Sequence, residues 1–342
     1  MRKLYLGIDV GSISSNLVLI DEEDQVVASL YLRTEGNPIG AIQRGIEELE
    51  RHMPPDAEIS GVGTTGSARY LAGVITGADL IKNEITAHAR GAVHYTPDVR
   101  TVIEIGGQDS KIIILENGVV VDFAMSTICA AGTGGFLDAQ AFRLGIPVEQ
   151  FGDLALKSKG QTNIAGRCTI FAESDMIHKQ QIGHSTEDIV KGLCHALVRN
   201  YFSAVAKGKE IRPPIVFQGG VSENVGMRRA FEEALGKTII IPRYNKVIGA
   251  FGVALLVKEQ APPRTKFFGF EISDKDIRCT ALGCQGCPNQ CEVIEARIDG
   301  RVAARWGDRC GKWANAPAMS ECPPLSGYQR ILSATANRRG GD

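Results

Sequence analysis

Three short stretches of this 342-residue chain place acidic residues or paired glycines at the end of an apolar run: Asp9-Val10-Gly11-Ser12, Glu104-Ile105-Gly106-Gly107-Gln108-Asp109 and Gly219-Gly220. A strand that ends in Asp-x-Gly-Ser and turns straight back presents backbone N–H groups and hydroxyls to an anion. Ser12, Ser14 and Ser15 supply hydroxyl donors, and Gly11 permits close approach. Gly106, Gly107 and Gln108 offer a second set, so that two facing hairpins clamp a polyphosphate. Asp9, Glu104 and Asp109 stand where phosphates would sit. Carboxylates there hold Mg²⁺, directly or through water, or orient an attacking water. Gly219, Gly220 and Asn224 suit a turn that lets base and ribose approach the backbone before a helix N-terminus. Read singly, each is an ordinary strand end; two copies in register and a third turn point to a nucleotide.

The nine cysteines carry a second chemistry. Cys129 stands directly before the Gly/Thr-rich run Gly132-Thr133-Gly134-Gly135 and a helix, where nearby N–H groups favour a thiolate. Cys168 lies in Arg167-Cys168-Thr169-Ile170. Cys194 falls on the apolar stripe of a helix (Ile189, Leu193, Leu197) and reads as core. Six cysteines crowd the C-terminal part. Cys284-x2-Cys287-x3-Cys291 with Cys310 is a metal-ligand pattern, with Cys279 as substitute and Cys322 a bystander. The spacing leaves zinc and a second iron–sulfur cluster both open. His88, His94, His178 and His184 show no paired ligand spacing and read as surface or core residues.

The elements that position these groups repeat. Leu4–Val10, Ser15–Asp21 and Val26–Leu32 form a three-strand meander, and 102–105, 110–115 and 119–125 repeat it. Without gaps, Asp9 falls on Glu104, Gly11 on Gly106, Ser15 on Ser110 and Asn16 on Lys111. Such repetition implies two similar α/β halves. Helices are expected at 39–52, 136–144, 148–157, 187–207, 227–235 and 247–258, the last rich in small residues and carrying Gly249. Further strands are expected at 59–63, 215–217 and 238–241. The organisation reads as a first half over 1–95, completed by the 247–258 helix, and a second half over 96–260. Pro262-Pro263 marks a boundary. A Cys-rich extension over 265–330 follows, short on periodic apolar segments and held by a metal, then a disordered tail at 334–342.

Apolar residues make up 44% of the chain, charged residues 23%, and the formal net charge is −1. That balance gives no reason to expect nucleic acid or a membrane as partner. No apolar run spans a bilayer and no export signal opens the chain, so the expected location is cytoplasmic and the cysteines are not structural disulfides.

Gly7-Ile8-Asp9-Val10-Gly11-Ser12, Ile105-Gly106-Gly107-Gln108-Asp109 and Gly219-Gly220-Val221-Ser222-Glu223-Asn224 resemble the motifs of the actin/sugar-kinase/Hsp70 ATPases. The resemblance covers roughly residues 4–257. Within that superfamily, the chain is most similar to the BadF/BadG/BcrA/BcrD-type ATPases, the activators of 2-hydroxyacyl-CoA dehydratases and ATPase subunits of benzoyl-CoA reductases. It implies a duplicated RNase H-like α/β fold with the Cys-rich extension appended. It implies ATP and ADP with Mg²⁺ as ligands, held by the residues above together with Gly132, Thr133, Gly134 and Gly249. It also implies a homodimer in which Cys129 and Cys168 of both copies hold one 4Fe–4S cluster. Ferredoxin or flavodoxin would supply the electron. The acceptor would be a cluster-bearing dehydratase or reductase, or a double-cubane protein. Those activators commonly carry Lys where Asn16 stands here, which puts one phosphate contact in doubt. A small-molecule kinase of the same fold is the competing function; it leaves Cys129 and Cys168 unexplained.

Overall fold

The computed structural model describes residues 1–126, 130–166 and 168–314. They divide into two units, Met1–Asp274 and Lys275–Asp342.

The larger unit opens with the expected meander, β1 (Arg2–Val10), β2 (Ser14–Ile20) and β3 (Val26–Arg33). It continues through α1 (Pro38–Arg51), β4 (Ala57–Thr65), α2 (Arg69–Thr76), β5 (Leu80–Ile81) and α3 (Glu84–Tyr95). The plan repeats in β6 (Thr101–Ile105), β7 (Ser110–Glu116) and β8 (Val119–Ser126). Then follow α4 (Gly134–Leu144), α5 (Val148–Lys157), α6 (Thr169–Gln181), α7 (Thr186–Ala204), β9 (Ile215–Gln218), α8 (Val225–Leu235), β10 (Ile239–Ile240) and α9 (Ile248–Gln260). The two five-stranded sheets have one topology. The first is ordered β3-β2-β1-β4-β5 and the second, from its matching edge, β8-β7-β6-β9-β10. In each, the meander is antiparallel and the fourth strand lies parallel to the first. The fold is therefore a duplicated α/β architecture, the two similar halves that the repeat implies.

α9 is buried nearly all round, as a helix of small and apolar residues should be. It packs on β1, β2 and β4, and its glycines set the approach. A Cβ on Gly7 would lie 1.9 Å from the Ala250 carbonyl oxygen, and one on Gly252 would lie 1.8 Å from that of Ala87. The helix is thus wedged between the first sheet and α3. A second core fills the other half, where α7 buries Ile189, Leu193 and Leu197 against Phe136, Phe217 and Phe231. Cys194 belongs to that core, and burial pushes its thiol up to about 12.

Three helices escaped the periodicity reading. α2 is short, and α6 mixes polar and apolar residues around its circumference. α3 is built of Ala, Gly, His and Thr, so its apolar stripe is weak. It starts where the Asn83 side chain accepts the Thr86 N–H. The larger unit also runs past Thr265, because Thr265 and Lys266 donate to the Asp79 carboxylate and Phe268 N–H to the Thr76 carbonyl.

The smaller unit is not the strand-poor segment its sequence suggested. β11 (Ile277–Gly283), β12 (Glu292–Ile298) and β13 (Arg301–Trp306) form an antiparallel sheet. Val293 and Ala296 are buried, as is a charge-assisted pair, Arg305 to Glu295 at 2.8 Å. Charged residues alternate with short apolar ones here, which hides the strands from a search for apolar runs. Cys322 and residues 334–342 lie outside the described residues. Among the described residues, no helix is long and apolar enough to cross a membrane.

Candidate active site

The two first turns are the same structure. Gly11 N–H bonds the Ser14 carbonyl at 2.8 Å, and Gly106 N–H bonds the Asp109 carbonyl at 3.0 Å. In the first hairpin Asp9 lies opposite Asn16; in the second Glu104 lies opposite Lys111. The gapless repeat is thus a register in space.

Between the turns runs a cleft. Its inner part, about 80 Å³, is lined by Asp9, Gly11, Ser12, Ser14, Asn16, Glu104, Gln108 and Asp109. An adjoining cavity of about 350 Å³ is lined by Gly106, Gly107, Gly134, Gly220, Val221 and Asn224, with Tyr31, Arg33 and Lys246 at its sides. Gly219 adopts φ +86°, where a Cβ would meet the Ile105 carbonyl oxygen at 2.5 Å. Asn224 caps α8, accepting the Met227 N–H at 3.0 Å. Gly249 makes room for Asp9, since a Cβ there would stand 2.2 Å from Asp9 Oδ2.

Other candidates stand behind this wall. Ser15 is fully buried, its hydroxyl 3.0 Å from that of Thr34, so it braces the turn while Ser12 and Ser14 face the cleft. Thr133 is buried and donates to the Ala130 carbonyl. Gly132 sits against Asn200, whose Oδ1 would be 2.6 Å from a Cβ there. Gly134 and Gly135 N–H groups bond the Gly106 and Gly107 carbonyls, both at 2.8 Å, tying the start of α4 to the second turn.

Charge is unevenly balanced. Lys111 is only 2% exposed and pairs with Glu104 and Asp109, each at 2.8 Å, and with Glu84 at 3.4 Å. Burial opposes its charge, yet these carboxylates hold its pKa above the ordinary lysine value. Burial raises Glu104 as well. Among the described residues no lysine or arginine pairs directly with Asp9, and Lys111 favours its charge only from a distance. Burial, then repulsion from Glu84, lifts Asp9 to about 7. Asn16 Oδ1, opposite it, is buried without a hydrogen bond. Hard oxygen donors in carboxylate excess suit Mg²⁺ chemically, although among the described residues no three such side chains stand within reach of one ion.

Reading the sequence missed Glu84 and took His88 for a surface or core residue; it is buried, but beside the cleft. They sit one turn apart on α3 and face the cleft, so the i, i+4 pair was the available signal. Gln218 Nε2 lies 2.9 Å from His88 Nδ1, and His88 Nε2 lies 4.0 Å from Asp9 Oδ2. Burial, then Lys111, lowers His88 to about 4, so it is neutral at pH 7 and supplies Asp9 no counter-charge.

Cys168 is half-buried at the N-cap of α6. Cys129 lies outside the described residues. The loop before Cys168 is fixed by α7 and α6: Arg199 donates to the Ile164 carbonyl, Asn200 to that of Gly166 at 2.7 Å, and Ala165 N–H to Asp175 at 2.8 Å. The next residue of α7, Tyr201, donates its hydroxyl to the Lys111 carbonyl at 2.8 Å.

Residues 6–257 match the model of the BadF/BadG/BcrA/BcrD ATPase family. The chain is 37% identical over 260 residues to the (R)-2-hydroxyglutaryl-CoA dehydratase activating ATPase of Acidaminococcus fermentans, covering 75% of this chain and 97% of that one. It is 28% identical over 261 residues to one component chain of the benzoyl-CoA reductase of Thauera aromatica, covering 73% and 91%. Its fold matches the solved activator of the 2-hydroxyisocaproyl-CoA dehydratase from Clostridium difficile with bound ADPNP. The TM-score is 0.69 at 32% identity, covering 76% of this chain and 96% of that one.

Proposed function

Because the chain belongs to the BadF/BadG/BcrA/BcrD ATPase family, and is an ATPase with it, we propose that ATP hydrolysis here drives low-potential electrons onto a partner enzyme. The partner is a cluster-bearing dehydratase or reductase of the 2-hydroxyacyl-CoA dehydratase kind, or a double-cubane protein. Ferredoxin or flavodoxin is the donor. Two copies of the chain hold one 4Fe–4S cluster between Cys129 and Cys168 of each. A cubane needs about four thiolates and one chain offers two in these contexts. When bound, the cluster supplies a one-electron store.

The chain's own residues supply the rest. The Gly11–Ser14 and Gly106–Asp109 turns bind the phosphates, and Gly219 to Asn224 receive the adenosine. Asp9, Glu104 and Asp109 hold Mg²⁺ and orient the attacking water. The observation that carries the reading is the short path along α7. Tyr201 grips the backbone of Lys111, whose side chain joins Glu104 and Asp109. One residue earlier, Asn200 grips the loop entering Cys168. A nucleotide that moves the second hairpin therefore biases the Cys168 segment.

The test is anaerobic purification followed by iron and sulfide analysis. About four irons per two chains are expected. Cys168→Ser loses them and loses partner-dependent ATP turnover. Full iron in Cys168→Ser overturns the cluster assignment. Colourless protein that phosphorylates a sugar reinstates the kinase reading.

A further inference from the structure

We propose that the smaller unit carries its own zinc site, a tetrathiolate built from Cys284, Cys287, Cys291 and Cys310. It lies in a segment that the family match, ending at 257, does not reach.

The sheet brings the four thiols to one end. Gly283 pairs with Glu292, and Ile294 pairs with Trp306, so the loops after β11 and after β13 leave the same end of the sheet, one on each side of β12. Cys284 N–H bonds the Cys291 carbonyl at 2.8 Å, which extends the ladder by one rung and closes the loop carrying Cys287. Gly307, at φ +102°, turns so tightly that a Cβ would lie 2.4 Å from the Glu292 carbonyl oxygen. The chain then folds back over the first loop. Asp308 accepts the Trp313 N–H at 2.8 Å, with Cys310 Sγ 3.9 Å from the same carboxylate oxygen. The Trp313 indole N–H donates to Cys284 Sγ at 3.2 Å.

A Cys-x2-Cys loop whose first sulfur already receives an N–H bond, with a second loop carrying another cysteine at the same end of the sheet, supplies the donor set of a closed tetrahedral Zn²⁺ site. Cys284 is buried beneath the loops, while Cys287 and Cys310 are exposed and Cys291 half-exposed. Among the described residues no three thiols stand within reach of one ion. Ligation therefore turns Cys287, Cys291 and Cys310 inward by side-chain rotation and small loop movement, as when metal binding completes a fold. The geometry also separates Cys279 from Cys310 as the fourth ligand. Cys279 pairs with Ala296 in mid-sheet, five residues and roughly 16 Å from Cys284 along a strand. Four thiolates around a divalent ion leave a double negative charge, and Lys312, whose Nζ would be 3.9 Å from a Cβ on Gly286, stands over the same loop.

The test uses the full chain with Cys129→Ser and Cys168→Ser, so that metal held by those residues is not counted. About one zinc per chain is expected. Cys284→Ser with Cys287→Ser lowers it at least fivefold, while Cys279→Ser leaves it unchanged; binding of a fluorescent ATP analogue checks that the larger unit remains folded. Independently of any variant in the site, Co²⁺ added to the chelator-stripped chain gives the intense thiolate charge-transfer band of tetrahedral cobalt. Zinc that survives the double substitution, iron as the retained metal, or Co²⁺ without that band overturns the proposal.

Discussion

The two halves present the same hairpin with opposite electrostatics. In the first, a partly buried carboxylate, Asp9, faces a neutral amide, Asn16. In the second, Glu104 faces Lys111, which also binds Asp109 and Glu84. Backbone register and turn bond are duplicated; charge is not. The second hairpin carries its own buried cation, which ties Glu104, Asp109 and Glu84 together. The first holds a carboxylate that burial and Glu84 drive toward neutrality and that the more distant Lys111 offsets only in part. The duplication supplies a symmetric cradle, and one position in each strand, Asn16 or Lys111, decides its charge.

The largest test of this contrast is Lys111→Met. Removing one partner of a buried ion pair leaves Glu104 and Asp109 uncompensated, at a cost of about 3–5 kcal/mol. The melting temperature of the nucleotide-free chain should fall by about 10 °C, with partial recovery in millimolar Mg²⁺. An unchanged melting temperature breaks the contrast.

Asp9→Asn should act in the reverse sense on stability. The folded pKa of Asp9, about 7, lies above its unfolded value of 3.8. The ionisation penalty is therefore absent below pH 4, grows as pH rises, and is complete above about 7. The melting temperature of the native chain should carry a decline over that window that the variant lacks. Hydrolysis should rise through pH 7 in the native chain, because Mg²⁺ needs the carboxylate. In the variant it should drop about 100-fold, equivalent to about 2.7 kcal/mol.

The finest adjustment is Asn16→Lys, which gives the first hairpin the cation of the second. The pH midpoint of ATP turnover should move down by about one unit, near 1.4 kcal/mol. A midpoint that stays put would show that a group other than Asp9 sets the profile.

Much of the cradle was legible from residues alone. Asp9, Gly11, Gly106, Asp109 and Gly219 announce themselves because turns need glycine and strands alternate, and both are short-range rules. Pairing Asn16 with Lys111 also followed from the repeat. Glu84 and His88 did not, because α3 is covered on two sides and lacks a clean stripe. The three strands of the smaller unit were missed for a related reason: a thin sheet buries few large side chains.

The sequence by itself determined which atoms could meet phosphate, cation and sulfur-seeking metal, since local geometry places a turn's donors wherever that turn forms. Only the tertiary structure decided which of them face the cleft, turning Ser15 away and bringing His88 in. It also decided that Asp9 is held near neutrality, and that α7 joins the second hairpin to the Cys168 loop. Desolvation and Coulomb interaction depend on neighbours in space, and those neighbours can be far apart along the chain, as Gln218 and His88 are at 130 residues.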